Sequence, residues 1–393
     1  TLSGYYGKYA PPEGNWNSLN ITGDSLVIMT EFLEAGTALT VDSGSIVNLA
    51  QGDLHSHIGE GTVYTSSSTS QSKVYVDTST GSDSNDGSSA KSPVQSLLKA
   101  YELLCAVENG ISQNAFASGS IVLMNDVEFD GNFNLGKEPN KAENTYVGKL
   151  TITDNDGITD YNAALKVSST DNPGNGRYIQ IGGGPTVLDS LALKATGGSM
   201  FLYVGDDFTI NDNVTAERQG KWKIIVSGGF CRTDTTDTVN ITINGGEVDY
   251  VTPSTIATHG QANGDANIVL GGNAKVQNVL TGGLLYTTTD GAQDKNSAHG
   301  NVTVAVGASA VVQEYYAGNI YGTAGTVASS TLVLNGGTVG NVNQSANSGV
   351  SDITLDGYSG EYSLPEGRWN TLKITGNSTV TMKNKLDGVA NMV

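Results

Sequence analysis

The feature that most restricts this chain is a string of short β-branched runs that no helix interrupts. From residue 119 onward they read SIVLMND, KLTITD, ALKVSS, RYIQIGGG, LALKA, SMFLYVG, DFTIND, KWKIIVSGG, VNITINGG, ANIVLGG, NVTVAVG, STLVLNGG, DITLDG and LKITG. Alternation of apolar and polar residues at period two is the mark of a strand with one buried face. Without helices between the strands, βαβ folding is excluded, leaving a sandwich of hairpins or a coil of parallel rungs. The later runs share one phrase, a β-branched alternation ending in Gly-Gly or a near match, at intervals of roughly 18 to 35 residues. Recurrence of one phrase favours the coil, a solenoid with loop insertions. Inward side chains of successive turns then stack, and Asn240, Asn301, Thr242, Thr303 and Thr354 are expected in such ladders.

Composition fits a core built from strands. Of 393 residues, 51 are Gly, 15% are charged and 7% aromatic, while apolar residues still make up 37%. No apolar stretch approaches the roughly 18 residues that a membrane helix needs. The first residues carry neither a charged n-region nor an apolar h-region. A formal charge of −19 repels phosphate backbones and anionic headgroups, which argues against nucleic-acid partners and direct membrane insertion. The same surplus of carboxylates can attract calcium. Two cysteines, Cys105 and Cys231, are too few for a disulfide framework and read as buried thiols, with pairing to each other as the alternative.

The chain also repeats itself. Residues 4–29, GYYGKYAPPEGNWNSLNITGDSLVIM, return at 357–382 as GYSGEYSLPEGRWNTLKITGNSTVTM, with sixteen of 26 positions identical at a constant offset of 353. Either the sequence belongs to a longer chain that repeats a unit of about 353 residues, or one domain carries matching edges. The expected organisation is a short β-rich segment over 1–70, a β-helix over 73–356, and the start of a second copy of the N-terminal repeat over 357–393. One helix is expected near 93–109, with Ser92 as N-cap, Pro93 in the first position, Gln95 completing a capping box and Gly110 as C-cap. Its apolar face would be Val94, Leu97, Leu98, Tyr101, Leu104 and Cys105, covering an exposed core.

The stretch KVYVDTSTGSDSNDGSSAKSPVQSLLKAYELL resembles the opening motif of the pectate-lyase-like right-handed parallel β-helix superfamily: strand, Gly-x-Asp-x-Asn-Asp-Gly turn, Pro, capping helix. The stretch GGGPTVLDSLALKATGGSMFLYVGDDFTINDNVT similarly resembles rungs of very large, repetitive bacterial surface proteins. The resemblance implies an all-β, right-handed parallel β-helix with one capping helix. It leaves function open, because the superfamily includes lyases, glycoside hydrolases, phage tailspikes and inert adhesin stalks. Hydrolases of that kind need paired carboxylates. The adjacent Asp206 and Asp207 point to opposite faces of a strand. Near His259 the family's Gly-His-Gly is broken by Thr258, and the expected Arg-x-Lys is missing. Lyase chemistry needs a cationic base beside calcium; Arg177, Lys221, Lys223 and Arg232 are available, none in the family's Arg-x-Pro-x-x-Arg arrangement.

Three further groups are candidate sites. Asp53, His55 and His57, at alternate positions, would share a strand face and could hold zinc, against the plainer reading of a glycine-flanked turn. Asp83 and Asp86 form part of a calcium loop whose twelfth position is Val94 rather than Glu, which excludes an EF-hand and leaves a tight turn or a weaker calcium site. Tyr286, Tyr315, Tyr316 and Tyr321 could stack on sugars or meet a protein, or pack beneath a loop. Two functions are therefore expected as alternatives. One is a non-catalytic structural or adhesive module of a large extracellular or cell-surface bacterial protein, with polysaccharide, surface glycan or protein as partner. The other is a secreted polysaccharide-degrading enzyme.

Overall fold

A computed structural model of the chain describes residues 1–11, 16–29, 31–49, 53, 55–65, 72–105, 107–108, 111–112, 118–129, 133–135, 149–168, 177–181, 185–204, 207–228, 238–253, 264–282, 300–318, 327–344, 350–365, 368–386 and 389–393. The fold is an all-β parallel β-helix with one α-helix, and its longest sheet holds twelve strands, all parallel. The chain divides into two compact units: 1–121 with 136–151, and 122–135 with 152–393.

In the second unit each coil first visits three sheets. Thr186–Asp189, Ala192–Ala195 and Met200–Val204 are followed by Phe208–Ile210, which pairs in parallel back onto Thr186–Asp189. From Ile224 to Asp356 each coil has two strands, alternating between the long sheet and an eight-stranded one; beyond it the long sheet alternates with a two-stranded sheet of Ser359–Tyr362 and Thr379–Met382. The chain lengths between strands vary, as from Thr252 to Ala266 and from Leu280 to Asn301, while the pairing register continues unbroken.

Alternation decides which residues enter the core. In Asn301–Gly307, Val302, Val304 and Val306 are buried, stacked on Ala266, Ile268 and Leu270 of the preceding coil. Each such aliphatic side chain contributes about 1.5–3 kcal/mol on full burial. The residues between them must face outward. The Asn and Thr positions expected in the inward ladders therefore stack on the outer face, where Asn267 donates to Asn240 (2.8 Å), Asn240 to Asp207 (2.6 Å) and Ser329 to Asn301 (2.7 Å). The recurring Gly-Gly has a physical cause at Gly245-Gly246. A Cβ on Gly245 would lie 2.4 Å from the Asn211 carbonyl oxygen, and Gly246 has φ +75°. Only glycine satisfies both a close coil-to-coil corner and a left-handed turn.

In the first unit, residues 1–65 form a smaller parallel coil with two four-stranded sheets, alternating between them. Its core includes Ile21, Val27, Met29, Leu39, Val41, Val47 and Leu49. The helix runs Leu97–Cys105, shorter than the sequence suggests and starting later. Val94 is the reason: its N–H donates to the Tyr75 carbonyl and it bridges in parallel to Val76, so Val94 is held as a sheet partner and not in a helical turn. The N-cap is Ser96, whose Oγ accepts the Lys99 N–H at 3.1 Å. Leu97, Tyr101, Leu104 and Cys105 are buried as expected, but Leu98 is 44% exposed. Cys105 is buried, and Cys231 and Gly110 lie outside the described residues.

The sequence echo is a structural one. Tyr6–Tyr9 pairs with Leu26–Met29 in the register Tyr6↔Leu26 to Tyr9↔Met29, and Ser359–Tyr362 pairs with Thr379–Met382 in the register Ser359↔Thr379 to Tyr362↔Met382. Both copies carry a T-shaped tyrosine pair, Tyr5 with Tyr9 and Tyr358 with Tyr362, at 6.0 and 5.7 Å. Both bond the first tyrosine's N–H to a serine Oγ, of Ser25 and of Ser378.

Asp83 offers a check on the helix entrance: its Oδ1 accepts the Gln95 and Ser96 N–H groups and its Oδ2 the Ser96 hydroxyl. Asp83→Ala is expected to lower the unfolding free energy by about 1–2 kcal/mol in chemical denaturation.

Candidate functional site

Within the second unit a cleft of about 740 Å³ opens where the eight-stranded sheet ends at Thr338–Gln344 and the two-stranded sheet of the C-terminal repeat begins. Parallel register places its polar groups. On the outer face of the eight-stranded sheet the ladder runs Phe201, Ile225, Tyr250, Asn278, Glu314, Asn341, so an apolar stripe becomes polar as it reaches the cleft. Glu314 Oε1 accepts from Asn341 (2.8 Å) and Oε2 from Asn343 (2.9 Å). The opposite wall carries Tyr358, Glu361 and Tyr362. Tyr358 donates to the Glu361 carbonyl at 3.0 Å, and Lys383 pairs with the Glu361 carboxylate at 2.6 Å. Burial, and then Tyr358 nearby, pushes the Tyr362 hydroxyl well above its ordinary range. Gln344, at the end of the first wall's strand, bonds both the N–H and the carbonyl of Arg368, at 2.7 and 2.9 Å.

This arrangement can recognise hydroxyl-rich ligands, because amides, a carboxylate and a half-buried tyrosine ring line one wall or the other. As an acid–base pair it is poorly set up. Both oxygens of Glu314 already accept from amides, and Glu361 is exposed and ion-paired.

Sequence reasoning had not found this cleft. Tyr315 is 1% exposed, in the inward column Val226, Val251, Val279, Tyr315, Val342, and its hydroxyl has no hydrogen-bond partner among the described residues. Burial raises its pKa far above the ordinary range. Tyr316 points the other way and packs with Ile225, Leu280, Phe201 and Tyr250 on the sheet's outer face. Tyr286 and Tyr321 lie outside the described residues, as do Asp206, Arg232 and His259.

The other candidates are held by backbone. Asp53 accepts the Leu33 and His55 N–H groups at 3.0 and 3.1 Å, His55 Nε2 lies 2.7 Å from the Thr37 carbonyl, and His57 is exposed. Asp86 accepts the Ser88 N–H and hydroxyl, both at 3.0 Å. Among the described residues no group of three or more His, Cys, Asp or Glu side chains is placed to hold a metal ion. Lys221 and Lys223 precede the strand Ile224–Gly228 rather than lie on it. Lys221 sits 4.9 Å over the Trp222 ring, and Lys223 bonds Asp249 at 3.1 Å. Asp249 is fully buried and also binds Arg218, which reaches Glu247 as well. Arg177 begins the strand Arg177–Ile181.

A second cavity, of about 170 Å³, lies in the first unit and is lined by Tyr9, Pro11, Trp16, Phe32, Glu31 and Glu34 among others. Among the described residues no helix is long and apolar enough to cross a membrane. No protein-family model, no curated protein and no solved structure matches the chain.

Outside the cleft, Asp154 holds its proton more tightly than an ordinary carboxyl. Burial, and then the charge of Asp160, raises Asp154 from 3.8 to about 6, against the opposing Ala163 N–H bond. A folded-state pKa above the unfolded one means the folded chain holds the proton more tightly, so stability falls as pH rises from about 4 through about 6. Asp154→Asn is expected to flatten the pH dependence of the thermal midpoint over that window and to raise it at pH 7. Tyr315→Phe removes an unsatisfied buried hydroxyl and is expected to raise the unfolding free energy by about 1 kcal/mol in denaturant titration.

Proposed function

We propose that the chain is a non-catalytic structural or adhesive module of a large, repetitive extracellular or cell-surface protein, of the pectate-lyase-like β-helix type, which binds glycan through the cleft at its repeat junction. The observation that carries this reading is the repeat itself, in which sixteen of 26 residues return with the same strand register and the same tyrosine pair. Selection for a self-similar junction suits a chain that stacks units. The carboxylates that could do chemistry are tied to amides, lysine or arginine. The alternative, a secreted polysaccharide lyase or hydrolase, draws on the presence of Glu314 and Glu361 in one cleft.

Incubation with polyuronates and neutral polysaccharides, with and without calcium, is expected to release neither reducing ends nor unsaturated uronates. Affinity electrophoresis in the same polysaccharides is expected to show retardation that Asn343→Ala or Tyr358→Ala weakens about tenfold, as loss of about 1.4 kcal/mol implies. Product release that Glu314→Gln abolishes would establish the enzyme instead.

A further inference from the structure

Trp16 and Trp369 stand at the same position of the two repeat copies, 353 residues apart, yet Trp16 is 50% exposed and Trp369 only 2%. Further along the same strand the difference reverses: Ile21 is fully buried and Ile374 is 37% exposed. Among the described residues the two copies have different surroundings.

On the tryptophan side, the C-terminal copy follows the strands Thr338–Gln344 and Val350–Asp356. Val350–Asp356 pairs with it as Leu355↔Ile374 and Asp356↔Thr375. In the N-terminal copy the edge strand Leu2–Ser3 makes the matching pairs, Leu2↔Ile21 and Ser3↔Thr22. On the isoleucine side, Ile21 is paired with Val41 of the next rung, Ala38–Val41. The C-terminal copy reaches the equivalent rung at Val389–Met392, where Thr371↔Asn391 and Leu372↔Met392 repeat Ser18↔Ala38 and Leu19↔Leu39. The clamp beside Trp369 is indifferent to side-chain identity, since Gln344 bonds only the backbone of Arg368. Asn15 in the N-terminal copy keeps those two backbone groups in the sequence.

We infer that the face of the N-terminal copy bearing Trp16 is an interface, and that its occupant is the Thr338–Gln344 and Val350–Asp356 rung pair of another unit of this same kind, joined head to tail. The interface rests on the reading of the chain as a repeating module, and it deepens that reading. The aromatic cavity around Trp16, Tyr9 and Phe32 is then one wall of a junction cleft, the counterpart of the wall that Tyr358 and Tyr362 supply in the second unit.

The test is a tandem chain, residues 1–353 followed by 1–393, compared with the single chain. Phenylalanine replaces tryptophan so that each protein keeps one probe: position 16 of the single chain, position 369 of the single chain, or position 16 of the tandem's second unit. Circular dichroism confirms folding. Acrylamide quenching of the first probe is expected to be several-fold stronger than that of the other two, which should match. Equal quenching of position 16 in the single and tandem chains overturns the interface. A second measurement leaves Trp222 and Trp369 in place. Trp16→Asp should barely move the thermal midpoint of the single chain, and should lower that of the tandem when placed in its second unit. An equally small shift in both chains also overturns the interface. Polysaccharide cleavage in the activity assay would sink the non-catalytic reading while leaving this result standing, so the two failures are distinguishable.

Discussion

Parallel backbone hydrogen bonds between one coil and the next are the constraint on which the rest of this chain depends. A parallel ladder fixes register one residue to one residue, so each side chain lands on its counterpart in the neighbouring coil. A column that starts apolar and inward stays inward for as long as the ladder runs. The columns Leu202, Val226, Val251, Val279 and Ile241, Ile268, Val304, Leu332 exist for that reason, and both are buried throughout. An exception is costly: Tyr315 has to sit in such a column, and its hydroxyl has nothing to bond among the described residues.

The same register builds the cleft. Glu314 lies 27 and 29 residues from Asn341 and Asn343 in sequence, and pairing of Val311–Ala317 with Thr338–Gln344 sets it beside them on the outer face. The facing wall comes from a copy of the N-terminal repeat, so the cleft lies at the boundary between generic coils and the repeated motif. That position gives it the polar outer ladder from one side and the paired tyrosines from the other.

Much of the fold was legible in the sequence because period-two alternation and Gly-Gly corners are local signals. Helix boundaries were harder. Ser92-Pro93 has the chemistry of a helix start, but Val94 gains a sheet partner in Tyr75 and Val76 that local propensity does not reveal. The Asn and Thr residues do form columns, but on the outer face and not the inner one, because inwardness depends on which neighbours are more apolar. Of the candidate site, the tyrosine pair at 315 and 316 showed the same difficulty: adjacent residues face opposite ways, and one of them is core. Asp83 and Asp86 were found by their spacing, yet their bonds go to helix and turn backbone. The cleft was not legible at all, since nothing in the sequence states which strand follows which in the sheet.

The unequal chain lengths between strands have an evolutionary meaning. The ladder keeps its register on both sides of the intervals from Thr252 to Ala266 and from Leu280 to Asn301. Lengthening such a segment costs only slowly growing loop-closure entropy, whereas a one-residue change inside a rung would turn its whole column inside out. Sequence length can therefore change between these rungs at little cost, while the rungs themselves stay nearly fixed.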